Sequence, residues 1–213
     1  MRKIRSIPPE TIVRLGGMTD CMQPCELKHR VTYRAIQELN RCGIGYLIVT
    51  KSHLIASPEY LAILDKRLAH VQISVTCLDD EMALSYEKAS VPSKRIAAIS
   101  KLQAAGFDVS IRLSPLIEEF MDFDTLNSLN IEKCIIEFLR INSWIKKWLH
   151  GIDFSQYTVH QSNYYHLPLA TKCRILEKIR IPQISVCEDV SSHYEYWRTH
   201  INPNKNDCCN LRL

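Results

Sequence analysis

The sequence predicts an α/β fold organised around a parallel sheet with helical crossovers. Five short runs, Ile12–Leu15, Tyr46–Thr50, Val71–Val75, Val109–Leu113 and Cys134–Phe138, are each four or five residues dense in Val, Ile and Leu. Continuous apolar runs of that length suit strands buried on both faces. Segments with helical spacing lie between them, so the chain reads as repeated βα units with short connections. Polar residues also gather just after the strands: Thr19 and Asp20, Lys51 and Ser52, Thr76, Asp79 and Asp80, and Ser114. Open doubly wound sheets and barrels both carry reactive groups at the carboxyl ends of parallel strands, and this pattern alone does not choose between them.

The helices follow from apolar stripes and punctuation. In 31–39, Val31, Ala35, Ile36 and Leu39 share one face. In 93–105, Ile96, Ile99, Leu102 and Gln103 do the same, and Gly106 supplies the stop. Pro58 and Pro92 stand near the first turns of predicted helices, where the missing N–H costs nothing. Past residue 140 the pattern changes. Residues 167–179 read as one more helix and 183–186 as a short strand, followed from Glu188 by a polar, aromatic tail ending in two adjacent cysteines. We therefore divide the chain into residues 1–150, which carry the βα units, and 151–213, a helix/strand extension with a cysteine-containing tail.

The 213 residues suffice for one domain with a substantial core, or one domain and a short appendage. A hydrophobic share of 46% and a charged share of 23% are ordinary for a soluble globular protein. The net charge of +4 permits an anionic partner but does not by itself predict nucleic-acid binding. No apolar run approaches the ~20 residues that span a bilayer. The basic start, Met1-Arg-Lys-Ile-Arg-Ser-Ile-Pro-Pro, lacks an apolar signal core, so a cytoplasmic location is expected. Nine cysteines in such a chain point to buried thiols or metal ligands rather than disulfides. Cys42, Cys77, Cys134 and Cys173 sit among apolar neighbours and read as small buried hydrophobes.

The first chemical motif, Gly16-Gly17-Met18-Thr19-Asp20, follows the first strand. Two glycines there let backbone approach a ligand, and an acidic residue can bind an amine or hydroxyl. The spacing is neither that of a dinucleotide fingerprint nor of a P-loop. The wider string runs Gly17-Met-Thr-Asp-Cys-Met-Gln-Pro-Cys-Glu26, and later strands end in Ile48-Val-Thr-Lys-Ser52 and Ile73-Ser-Val-Thr-Cys-Leu-Asp79. Tyr86-Glu87, Pro92-Ser-Lys-Arg95 and Ile111-Arg-Leu-Ser-Pro115 follow in order. Over residues 12–140 this succession resembles the spore photoproduct lyase-like branch of the radical S-adenosylmethionine proteins.

The resemblance implies a partial (β/α)6 TIM-like barrel of parallel strands, with the family's first strand and cluster loop falling before Met1. It implies a [4Fe–4S] cluster on three cysteines spaced C-x3-C-x2-C, S-adenosylmethionine on the fourth iron, and a 5′-deoxyadenosyl radical acting on an unknown substrate. Cys21 and Cys25 have the x3 spacing, but Lys28 stands at the third position, and we read the pair as holding no cluster. By the resemblance, Gly16, Gly17 and Asp20 lie near the cofactor's amine. Thr76 and Arg112 face its carboxylate or ribose, and Glu87 is a further polar contact. Lys51 pairs with a substrate anion or with an acidic neighbour such as Asp20, or else snorkels at the barrel rim. A nucleic-acid partner is implied by the resemblance alone. A missing strand would leave a sheet edge for a partner chain to cover.

Cys187 and the adjacent Cys208 and Cys209 form the last motif, with His193 and His200 close in sequence. A cysteine pair plus a distant cysteine can hold zinc or a second iron–sulfur cluster; the alternative is a tail folded over the barrel mouth with its thiols buried or free. Three readings compete: a radical enzyme core inactive alone for want of the cluster motif, a non-catalytic barrel module, and a metal-binding protein using the tail cysteines.

Overall fold

A computed structural model describes residues 6–8 and 10–211. Its strands are β1 (Ile12–Leu15), β2 (Gly45–Thr50), β3 (Ala69–Ser74), β4 (Asp108–Leu116), β5 (Lys133–Phe138), β6 (Val159–Gln161), β7 (Tyr164–His166) and β8 (Gln183–Cys187). The helices are α1 (Glu26–His29), α2 (Val31–Cys42), α3 (Pro58–Ile63), α4 (Asp80–Tyr86), α5 (Pro92–Ala104), α6 (Phe123–Ser128), α7 (Ser143–Trp148), α8 (Leu169–Leu176) and α9 (Ser191–His200). Each of the five apolar runs forms a strand. Six strands make one parallel sheet in the order β1-β2-β3-β4-β5-β8, which does not close. This is an α/β architecture of the partial TIM-like barrel kind, with the strands of the sheet lying in the order in which they occur along the chain.

The chain divides into two compact units. The first holds the residues up to Ser74 and takes back Lys94–Ser110; the second holds Val75–Ser93 and the residues from Ile111 onward. In the first unit β1, β2 and β3 pair in parallel, with Ile12 opposite Gly45 and Tyr46 opposite Ala69. Ile36 and Leu39 of α2, Tyr46 and Ile48 of β2, and Ile99 and Leu102 of α5 are buried. Each such side chain contributes about 1.5–3 kcal/mol over its exposed state. Pro58 and Pro92 open α3 and α5, as their fixed φ favours.

The start of α2 is unusual. Its cap residue, Arg30, has φ +53° and offers no side-chain cap. The carboxylate of Glu26, four residues earlier, serves instead: it accepts the N–H groups of Thr32 at 3.0 Å and Tyr33 at 2.9 Å. The hydroxyl of Tyr60 donates to it at 2.7 Å. A buried anion thus satisfies orphan donors at a positive helix end.

In the second unit β4, β5 and β8 pair in parallel, with Arg112 opposite Ile135 and Glu137 opposite Cys187. Strands β6 and β7 form an antiparallel hairpin that the sequence reading missed. Its turn residues Ser162 (φ +51°) and Asn163 (φ +66°) have the backbone of a type I′ turn, for which Asn is a preferred residue. Trp144 and Trp148 lie on α7 but are 77% and 59% exposed. The second unit is anchored instead by Trp197 of α9, fully buried and stacked on Phe138 at 6.5 Å. No described helix is long and apolar enough to cross a membrane.

Candidate functional site

The residues singled out near the first strand end build a loop clamp. Gly16 has φ +84°, and a Cβ there would meet the carbonyl oxygen of Val49 at 2.5 Å. Only glycine lets this turn lie against β2. Gly17 is different, since among the described residues a Cβ on it would meet the Arg14 side chain alone, at 3.8 Å. Asp20 accepts the Met22 N–H at 2.8 Å, the Thr50 hydroxyl at 2.8 and 3.0 Å, and the Lys51 N–H at 2.7 Å. The Ser52 N–H in turn donates to the Thr50 hydroxyl at 2.9 Å. Asp20 and Lys51 are therefore neighbours, with the Lys51 backbone N–H donating to the Asp20 carboxylate. Both carboxylate oxygens already hold protein donors.

In the second unit, Thr76 is buried two residues beyond β3 and shares a hydrogen bond of 2.7 Å with the Tyr86 hydroxyl. Burial, with a hydrogen bond to Cys77, pushes the Tyr86 phenol up, so it stays protonated at neutral pH. Glu87 caps the end of α4 through its N–H, bonded to the Ala83 carbonyl. The Val75 N–H donates to the Arg112 carbonyl at 2.8 Å, which brings Thr76 and Arg112 onto neighbouring segments at the same end of the sheet.

Strand register then assembles a polar cluster around Arg112. Parallel partners point to the same face, so Arg112, its neighbour Ile135, and Glu137 two residues on share that face with Cys187. The Arg112 guanidinium, 4% exposed, donates to Glu137 at 2.8 Å, and the Ser114 hydroxyl donates to the same oxygen at 2.8 Å. Burial works against the Arg112 charge, but Cys187, Glu137 and Cys209 together raise its pKa. Burial likewise opposes ionisation of Glu137, yet Arg112 and Ser114 hold its carboxyl below the usual range. The result is a fixed ion pair beside three thiols.

Those thiols are the tail cysteines. Cys187 closes β8, and its Sγ lies 2.9 Å from that of Cys208. The Sγ atoms of Cys187, Cys208 and Cys209 all lie within 4.8 Å of one another. Hydrogen bonds to Cys208 and Cys209, and then burial, push the Cys187 thiol up. Cys208 is lowered by Cys187, but Cys209 and burial outweigh this and push it up to about 11. His193 and His200 do not join the group.

Sequence reasoning missed a second buried cluster in this unit. Lys172 of α8 is fully buried and paired with Glu188, which follows Cys187. Lys172 also lies 3.2 Å from His193 Nδ1 and 5.4 Å from the Phe138 ring. His166 Nδ1 is 3.9 Å from Glu188. Burial first, and then the Lys172 charge, lower the pKa of both histidines, so they are neutral at pH 7 beside a charged pair. The signal in the sequence was slight: Lys172 falls on the stripe with Ile175 and Leu176, where a lysine normally signals solvent.

The cluster that the resemblance implies does not fit these residues. Among the nine cysteines no three stand at C-x3-C-x2-C spacing. Cys25 is exposed, while burial and then the Asp20 charge push the Cys21 thiol up to about 12, the opposite of a thiolate ligand.

Compared with known proteins, the chain matches no family model and no curated sequence. Among solved structures, spore photoproduct lyase complexed with dinucleoside spore photoproduct superposes with a TM-score of 0.59 at 14% identity, over 94% of this chain and 63% of the other. A cysteine-to-alanine variant of that lyase with the same ligand gives 0.62 at 13% identity, over 94% and 63%. The chain has a spore photoproduct lyase-like fold. A third structure of this kind, a double variant with bound AdoMet and dinucleoside spore photoproduct, gives 0.58 at 13% identity, again over 94% and 63%. The chain thus spans about 63% of the lyase's length. With this likeness, the spore photoproduct lyase-like fold is a partial barrel rather than a doubly wound sheet, the alternative that strand patterning left open.

Proposed function

We propose that the chain is the barrel of a radical S-adenosylmethionine protein and binds S-adenosylmethionine at the carboxyl ends of its parallel strands. The observation that supports this reading is the extent of the likeness: 94% of the chain aligns with a lyase structure that holds AdoMet. Arg112 and Thr76, at one end of the sheet, carry the chemistry it needs. A guanidinium recognises an amino-acid carboxylate with two parallel hydrogen bonds, and a buried hydroxyl adds direction. Asp20 acts here by holding the 16–25 loop against β2, since its oxygens are already engaged.

S-Adenosylmethionine brings a sulfonium from which the family draws its radical. The cluster that triggers this has no ligand set among the cysteines of this chain, so we derive no reaction step through it. The substrate we propose is of the dinucleoside class, by analogy with the lyase structures alone.

The test is equilibrium dialysis of labelled S-adenosylmethionine against the chain, before and after anaerobic incubation with iron and sulfide. Saturable binding, weakened at least tenfold by Arg112→Met and by Thr76→Val in chains that remain folded by circular dichroism, is the expected result. A folded chain that binds none under either condition, or binding indifferent to both substitutions, rejects the reading.

A further inference from the structure

Cys187, Cys208 and Cys209 come from two places in the chain, and separate devices hold both. Cys187 is fixed by strand pairing, opposite Glu137. The tail is brought back to β8 by Asn202, whose side-chain oxygen accepts the Val186 N–H at 2.7 Å and whose amide donates to the Val186 carbonyl at 3.1 Å. Asp207 then shapes the turn that carries the cysteine pair. It accepts the Cys209 N–H at 2.8 Å and the Leu211 N–H at 2.9 Å, and its carbonyl accepts the Asn210 N–H at 3.2 Å. The three half-buried thiols converge because the backbone on both sides is pinned.

We propose that Cys187, Cys208 and Cys209 bind one thiophilic divalent cation of the zinc(II) kind, with Arg112 beside it as the compensating charge. Three sulfur ligands at about 2.3 Å in a tetrahedron stand roughly 3.8 Å apart. The observed separations bracket that value, from 2.9 Å between Cys187 and Cys208 to an upper limit of 4.8 Å across the group. Such spacing suits a mononuclear site. A cubane cluster, with a different iron for each cysteine, spreads its thiolates further apart. Soft thiolates also select zinc or similar metals over magnesium or calcium.

Charge supplies the second argument. Three thiolates around a divalent cation leave a net charge of −1, and binding releases up to three thiol protons to the buffer. The Arg112 guanidinium, held beside the thiols by Glu137, neutralises that anion in a largely buried setting. Three protein ligands leave the fourth position for water or another small ligand, the pattern of reactive rather than purely structural zinc sites. Cys187 also lines a cavity of about 40 Å³ with Glu137 and His166. His166, whose buried Nε2 makes no hydrogen bond among the described residues, stands in the wall of that cavity.

Titration of the reduced, metal-free chain with cobalt(II), followed by competition with zinc(II), tests this independently of S-adenosylmethionine. One equivalent of cobalt is expected, with thiolate-to-metal charge-transfer absorption and intense tetrahedral d–d bands that zinc abolishes. Cys187→Ser, and the pair C208S/C209S, are expected to weaken binding more than tenfold; exposed Cys25→Ser is expected to leave it unchanged. Arg112→Met is expected to weaken it about tenfold. Circular dichroism establishes that each variant is folded. The proposal is overturned by a folded wild-type chain that takes up no cobalt, or by uptake that survives loss of the tail pair. A mass 2 Da low in the purified chain that persists under mild reduction, locating a Cys187–Cys208 disulfide, also overturns it. So does a spectrum of iron–sulfur rather than mononuclear type after reconstitution, lost in the same variants.

Discussion

Glu26→Gln isolates a single buried charge and its work on one helix. The two Glu26 oxygens divide their partners: Oε2 takes the Thr32 N–H, while Oε1 takes the Tyr33 N–H and the Tyr60 hydroxyl. Glutamine keeps the shape but has one acceptor. Its best orientation leaves the carbonyl with Tyr33 and Tyr60 and turns an NH2 group towards the Thr32 N–H. A hydrogen bond to a charged group is worth roughly 1.5–3 kcal/mol. A carboxylate at a helix N-terminus adds about 0.3–1 kcal/mol. Together these set an expected loss of about 2–4 kcal/mol at pH 7. Burial alone would raise the Glu26 pKa, but the Tyr33 N–H, the Tyr60 hydroxyl and the Thr32 N–H override it and hold it below 4.5. A carboxyl whose folded pKa is depressed contributes stability above its unfolded value and loses it as pH falls through the folded one. The gap between wild type and E26Q must therefore narrow below about pH 4.5. All three tryptophans lie in the second unit, so fluorescence does not watch this site. Urea denaturation followed by far-UV circular dichroism, with amide exchange at Thr32 and Tyr33, does. A loss under about 0.5 kcal/mol, or a gap that stays constant into acid, refutes the capping role.

Gly16→Ala meets the Val49 carbonyl oxygen at 2.5 Å in a left-handed backbone and is expected to cost at least about 2 kcal/mol. Gly17→Ala, one residue on, is expected to stay within about 0.5 kcal/mol, and thermal melts of the two compare them directly. Lys172→Met leaves Glu188 buried without its cation and is expected to destabilise the second unit by about 3–5 kcal/mol. Trp197 fluorescence in urea reads this, and Lys172→Met combined with Glu188→Leu is expected to recover much of the loss.

The parallel sheet was legible because its signal is local and redundant. Ile12–Leu15 matches a strand end to end, and the other apolar runs each fall on a strand. The Pro58 and Pro92 helix starts were legible for the same reason, since a proline's effect is confined to its own turn. What could not be read were partnerships across large sequence separations. Asp20 looked like a ligand for an amine, and nothing near it announces Thr50 and Lys51, 30 and 31 residues away, as its donors. Glu26 belonged to a recognised string, but its task depends on Tyr60, 34 residues on. Trp144 and Trp148 share a face of α7 by their i, i+4 spacing, and that spacing says nothing of burial. That face is largely exposed.

Arg112 joins the two proposals and sets a condition on them. Its guanidinium already meets Glu137 and lies beside the tail thiols. An incoming carboxylate must share it with Glu137 or displace it, and a half-buried carboxylate that loses its cation is disfavoured. A metal thiolate of net charge −1 needs no such exchange, because it adds an anion to a position the guanidinium already faces. If both sites are occupied, each ligand draws on one cation, and the two compete for it. Metal binding should then weaken S-adenosylmethionine binding, and by linkage the cofactor should weaken the metal by the same factor. Equal, reciprocal shifts in the two titrations would place Arg112 in both sites. Independence would assign the guanidinium to the thiols alone and leave cofactor recognition in this unit to Thr76 and Glu87.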